Sequence, residues 1–112
     1  MSNCIFCRII AGEIPCSKVY EDDLFLAFDD INPVAPVHVV VVPKKHIPTL
    51  MDVADDGLMQ GLTDALRATA RIKGIDNRGF KMVINCNKEG GQVIYHLHAH
   101  LIGGGTIDKN KI

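Results

Sequence analysis

Between Gly90-Gly91 and Gly103-Gly104-Gly105 the chain reads Gln92-Val93-Ile94-Tyr95-His96-Leu97-His98-Ala99-His100-Leu101-Ile102, so three of its five histidines recur at every second position of an apolar run. Such alternation predicts a β-strand over Tyr95 to Ile102, with His96, His98 and His100 on one face and Leu97, Ala99 and Leu101 on the other. On a strand the first and third imidazoles stand about 13 Å apart, too far for one metal ion to take all three. At least one histidine must therefore do something else. A neutral imidazole, with a reference pKa of about 6.5, can attack phosphorus at neutral pH without prior deprotonation. His100, one pleat beyond His98, can donate a hydrogen bond to a phosphoryl oxygen or a leaving group. Packing alone would also explain histidines on a half-exposed face, but the flanking glycines, where backbone can approach a ligand closely, argue for a site.

A second chemistry is written in Cys4 and Cys7, whose Cys-x-x-Cys spacing lets two thiolates share one tetrahedral ion; His46 and His96 could complete a Cys₂His₂ set. A thioredoxin-like redox pair normally follows a strand in a βαβ unit, and only three residues precede Cys4. With four protein ligands no position stays open for water, so zinc here would be structural and would brace the N-terminal segment against the histidine strand. Cys16 and Cys86 have no such partners in sequence and are expected in the core.

Positioning these groups requires a scaffold. Ile5, Phe6, Ile9 and Ile10 are spaced for a short amphipathic helix over Cys4 to Ala11, ending near Gly12. Lys18 to Tyr20 and Leu24 to Phe28 read as a hairpin around Glu21-Asp22-Asp23. Pro33 and Pro36 break the chain before Val37 to Val42, a valine run closed by Pro43 and expected as a buried central strand. Leu58, Leu62, Ala65, Leu66 and Ala70 predict one long helix, capped by Asp52 or Asp55 at its start and by Gly74 at its end. Phe80 to Asn85 and the histidine strand complete an α+β fold, an antiparallel meander with the long helix packed on it.

With 112 residues, 47% of them hydrophobic, the chain is expected to form one domain, 1–112, around one core. A net charge of −1 and scattered lysines and arginines offer no stripe for a nucleic-acid polymer, so a nucleotide ligand would be small. Apolar stretches such as Val39 to Val42 are far too short to span a membrane, and a cytoplasmic protein with reduced thiols is expected.

The run from Gly91 to Gly104 resembles the histidine triad (HIT) motif, His-φ-His-φ-His-φ-φ with φ apolar. Phe28-Asp29-Asp30-Ile31-Asn32-Pro33, Ala35-Pro36-Val37-His38 and Val42-Pro43-Lys44-Lys45-His46-Ile47 extend the resemblance to the Hint branch of that superfamily. It implies a HIT-like fold, commonly a two-fold dimer whose sheets join. The resemblance also implies that His98 is the nucleophile and forms a nucleotidyl-histidine intermediate, with a backbone carbonyl next to the first histidine fixing its tautomer. Gln92 and the amides near Gly91 and Val93 resemble phosphate contacts, and Asn85 matches an asparagine near the leaving group. Asp30 falls where the family holds the ribose hydroxyls, while Ile5, Phe6, Ile9, Phe28 and Ile31 would form the slot for a purine base. His38 matches a histidine lying behind the nucleophile, and His96 would support it from the zinc site, whose four positions resemble the structural zinc site of several bacterial Hint-like proteins and of galactose-1-phosphate uridylyltransferase.

Two positions depart from the pattern. Val93 stands where eukaryotic Hint proteins carry a hydroxyl residue that helps protonate a departing amine. The segment Thr106 to Ile112 lacks the Trp-Pro-Pro-containing end through which Hint homologues shape leaving-group choice. The function implied is hydrolysis of purine nucleoside 5′-phosphoramidates, such as adenosine phosphoramidate, to a nucleoside monophosphate and an amine, and of the related mixed anhydride aminoacyl-adenylate, whose leaving group is a carboxylate. Its rivals are a dinucleoside polyphosphate hydrolase or nucleotidyltransferase, a nucleotide-binding, zinc-stabilised interaction module, and a metal hydrolase built on His98 and His100.

Overall fold

The computed structural model describes residues 3–107, so the expectation drawn from the chain beyond Ile107 falls outside the described residues. Its elements are helix α1 (Ile5–Ile10), strands β1 (Lys18–Glu21), β2 (Phe25–Asp29) and β3 (Val37–Pro43), helix α2 (Leu58–Ile72), and strands β4 (Phe80–Val83) and β5 (Ala99–Gly103). The five strands form one antiparallel sheet in the order β1-β2-β3-β5-β4. The first three make a meander, and β5 enters between β3 and β4. This places the end of the histidine run beside the most buried strand.

Strand parity sorts the side chains into two cores. Phe25, Ala27, Val39, Val41, Ala99 and Leu101 face α2, where they meet Leu62, Ala65, Leu66 and Ala70. Leu26, Phe28, Val40 and Val42 face the opposite way and meet Phe6 of α1, with Ile9, Ile10 and Ile94 at the margin. β3 is buried on both faces from His38 to Pro43, as its continuous valine run predicts. His100 pairs with Val40, so the imidazoles belong to the α1 face.

The histidine strand is shorter than its pattern suggests. β5 begins only at Ala99, and His96 and His98 precede it. The β3–β5 ladder runs from Val37↔Gly103 to Val41↔Ala99. Its next hydrogen-bonded pair, two residues on, would oppose Leu97 to Pro43, which has no N–H to give. The Leu97 amide donates instead to the Ile47 carbonyl, at 2.6 Å, and the chain leaves the sheet. Capping also differs from expectation. Asp52 closes a capping box with Thr49 on a short 3₁₀ turn, Leu50–Asp52. Gly57 caps α2, and Asp56 rather than Asp55 accepts the Leu58 amide, at 3.1 Å.

Gly61 lets α2 approach the sheet: a Cβ there would lie 2.8 Å from Cε2 of Phe25, a ring only 1% exposed. Alanine would gain about 0.5–1 kcal/mol of helix preference against about 1–3 kcal/mol of overpacking. Gly61→Ala is therefore expected to lower stability by about 1 kcal/mol, read as a Tm drop of about 4–8 °C in a calorimetric scan. A higher Tm would mean that the Phe25 ring relaxes freely.

Candidate active site and metal-ligand group

The three histidines of the run have three different sets of partners. Nε2–H of His96 donates to the Pro43 carbonyl at 2.8 Å, which leaves its Nδ1 as a lone pair. That Nδ1 lies 3.3 Å from Cys4 Sγ, 3.5 Å from Cys7 Sγ and 3.2 Å from His46 Nδ1. Cys7 Sγ is in turn 3.3 Å from His46 Nδ1. Cys4 caps α1, Cys7 sits in its first turn, and His46 follows β3, so three separate segments bring these four donors into a group that could hold a metal ion. Burial of His96 holds its pKa below the ordinary histidine value; the Pro43 carbonyl opposes this, and His46 and His98 reinforce it. A neutral ring is the form that can ligate.

His98 belongs to no such group. Its Nδ1–H donates to the main-chain carbonyl of His96 at 2.8 Å, and because a carbonyl only accepts, the proton is on Nδ1 and Nε2 is unprotonated in the neutral ring. Phe6 packs edge-on against His98, His96 and Phe28, with ring centroids 5.0, 5.8 and 5.7 Å away. His100 is addressed from behind. The Val34 amide donates to His38 Nδ1 at 3.1 Å, so His38 carries its proton on Nε2, 2.9 Å from His100 Nδ1. His100 is then left with a donor at Nε2. Burial first, then His98 and His38, push the His100 pKa down, while Asp30 pulls it up.

His98 and His100 line a cavity of about 680 Å³. Ile5, Phe6, Ile9, Phe28, Asp30 and Ile31 line it with them, so eight of the expected site residues share one space. Ile31 is 91% exposed and stands at the rim. Asn85, Gly91, Gln92 and Val93 are outside the cavity lining, in the turn-rich segment between β4 and β5. The Gln92 carboxamide is buried and occupied: Nε2 donates to the carbonyls of Pro48 and Ile94, and Oε1 accepts the Asn87 amide. It braces that segment. Asn85 donates to the Gly90 carbonyl at 2.7 Å, and Val93 is 87% exposed.

The cavity has a wall that sequence reasoning missed. Ile14, Pro15, Cys16 and Ser17 close it between α1 and β1. An apolar Ile-Pro pair inside an otherwise polar connection was the available signal. Cys16, expected in the core, is exposed there instead, while Cys86 is half-buried beside Asn87. Asp29 also lines the cavity, held by Ser17 Oγ at 3.1 Å and Lys73 Nζ at 2.8 Å.

Comparison with known proteins identifies the family. A purine nucleoside phosphoramidase of Escherichia coli K12 is 44% identical over 103 residues, covering 89% of this chain and 86% of that protein. The crystal structure of a HIT family hydrolase from Legionella pneumophila superposes with a TM-score of 0.91 at 44% identity, over 96% of this chain and 97% of that one. A histidine triad protein from Clostridium difficile gives 0.93 at 45% identity, over 97% and 96%. Residues 11–107 match the HIT domain, and the chain belongs to the HIT family.

Proposed function

We propose that this protein hydrolyses purine nucleoside 5′-phosphoramidates, releasing a nucleoside monophosphate and an amine. The observation that carries the reading is the bond from His98 Nδ1–H to the His96 carbonyl, which leaves Nε2 as a nucleophile on the wall of a mostly apolar cavity. Ile5, Phe6, Ile9, Phe28 and Ile31 would hold the base, and Asp30 the ribose. His98 Nε2 attacks the α-phosphorus, the P–N bond to the leaving amine breaks, and the amine departs with a proton taken from water or from His100 Nε2–H, which the incoming water later replaces. Water then cleaves the phosphorus–His98 bond and returns the imidazole. His100, a donor at Nε2, stabilises phosphoryl charge or the leaving group, and His38 orients it. Asn85 and the backbone near Gly91 and Val93 would border the phosphate, on a segment that Gln92 holds in place. The name of the E. coli relative supports the substrate class.

We further propose that Cys4, Cys7, His46 and His96 bind zinc. Tetrahedral bonds of about 2.05 Å to nitrogen and about 2.3 Å to sulfur would separate two nitrogens by about 3.3 Å and a nitrogen from a sulfur by about 3.6 Å. The corresponding distances here are 3.2 Å, and 3.3 to 3.5 Å. Zinc supplies no open coordination position in such a set; its part is to hold α1, and with it Phe6, against the histidine segment. Thiolate ligands favour a reducing compartment, which supports a cytoplasmic location, and among the described residues no helix is long and apolar enough to cross a membrane. The exposed edge strand β4, with Phe80 40% and Met82 51% exposed, supports a homodimer formed by joining sheets.

Brief reaction with a fluorogenic adenosine phosphoramidate is expected to add one adenylyl mass to the wild-type chain by intact-mass spectrometry. His98→Ala should show no adduct and lose at least about 10³-fold in kcat, since the whole covalent route is removed. Turnover persisting in that variant would refute the nucleophile. Metal analysis is expected to find one zinc per chain, and chelation or Cys7→Ser to lower Tm by on the order of 10 °C. A metal-free chain with an unchanged melt would sink the zinc reading.

A further inference from the structure

Asp30 Oδ2, His38 Nε2 and His100 Nδ1 converge within 4.8 Å of one another, a grouping that could ligate a metal. Hydrogen placement favours another use. The Val34 amide holds His38 Nδ1 as an acceptor, so the proton of neutral His38 sits on Nε2, at the centre of the trio. It is directed at His100 Nδ1, 2.9 Å away, while the Asp30 Oδ2 lies 3.4 Å from the same nitrogen in an electrostatic contact. The other Asp30 oxygen already accepts the Asn32 amide at 2.8 Å. His38 is only 7% exposed, so bulk water does not compete for this proton. Asp30 and His100 both line the cavity, and His38 joins them from behind.

We propose that His38 is a positioning residue coupling sugar recognition to chemistry: ribose hydroxyls engaging Asp30 hand the His38 Nε2–H wholly to His100 Nδ1, fixing the His100 donor toward the phosphoryl group. The inference rests on the hydrolase reading and on Asp30 as the ribose carboxylate. A carboxylate charge beside a donated N–H draws on its proton and weakens the bond to the acceptor that holds it. Hydroxyls donating to the carboxylate occupy its lone pairs and reduce its draw on His38. His100 is then held at both Nδ1 and its edge-on contact with His98, whose ring centroid is 5.1 Å away. With a sugar lacking those hydroxyls the carboxylate keeps its draw on the His38 proton, and the His100 ring is less firmly oriented. Binding energy from a non-reacting part of the substrate is thereby expressed in the chemical step, so the hydroxyls raise kcat as well as affinity.

The test is steady-state kinetics on an adenosine 5′-phosphoramidate with a fluorescent amine and on its 2′,3′-dideoxy counterpart, with wild type, His38→Phe and His38→Gln. In wild type, loss of the hydroxyls is expected to lower kcat about 10-fold, a part of the about 10²–10⁴-fold available to a positioned acid–base group, besides raising KM. In His38→Phe, kcat should fall for both sugars and their kcat ratio approach one, while the KM ratio persists because Asp30 still binds the hydroxyls. His38→Gln, which can set an amide N–H where Nε2–H stood, should restore part of the kcat ratio. A wild-type penalty confined to KM overturns the coupling, and so does an unchanged kcat ratio in His38→Phe. If that variant does not melt cooperatively, the wild-type division between kcat and KM decides alone. Wild type that binds AMP yet fails to turn over the ribonucleoside compound overturns the hydrolase reading and the coupling together, whereas turnover without the division overturns the coupling only.

Discussion

The hydrogen bond from His98 Nδ1–H to the main-chain carbonyl of His96 is the contact on which the site depends. A side-chain acceptor could turn away or take a proton, but a carbonyl held in the backbone does neither. It fixes which nitrogen of His98 faces the cavity, and its own position is fixed by what holds His96. That residue is fully buried, with one ring nitrogen on the Pro43 carbonyl and the other among Cys4, Cys7 and His46. A metal in that group would therefore help to set the His98 tautomer through one residue, without touching His98.

Pro43 enters twice. Its missing N–H ends the β3–β5 ladder at Val41↔Ala99, which releases His96 and His98 from the sheet. Its carbonyl then takes the His96 ring. Had the ladder continued, the His96 carbonyl would have been available to a neighbouring strand and not to His98. The Leu97 amide, bonded to Ile47, and the buried Gln92 carboxamide hold the released segment to the chain after β3. An irregular backbone is thus braced at both ends, as a site needing sub-ångström positioning requires.

Much of this was legible in the sequence because it rests on period and spacing. The valine run gave the doubly buried β3, the apolar helical spacing gave α2, and Cys-x-x-Cys with two distant histidines named the four donors that meet. The alternation of histidine with apolar residues assigned the faces correctly for Ala99, His100 and Leu101. It failed on extent, since period two describes side-chain direction and is blind to a proline on the partner strand. The cavity wall from Ile14 to Ser17 was missed for a related reason. That segment has no period, and its place follows only from how α1 is tied down. Gln92 shows the limit of type-based assignment: an amide can bind phosphate or brace a loop, and only its partners distinguish the two.

The three alternating histidines differ in chemistry because each second ring nitrogen is given a different partner. At His96 a carbonyl takes the Nε2 proton and frees Nδ1 for a metal. At His98 a carbonyl takes the Nδ1 proton and leaves Nε2 as a lone pair. At His100 a histidine N–H occupies Nδ1, so Nε2 is a donor. One residue type at one spacing thus yields three different arrangements of free lone pair and N–H, the arrangements that the proposed ligand, nucleophile and donor roles need. Burial holds the His96 and His100 pKa values down, and each neighbouring imidazole adds to the effect. Close packing of the rings consequently favours the neutral forms of His96 and His100, one with a free Nδ1 and the other with a donor at Nε2.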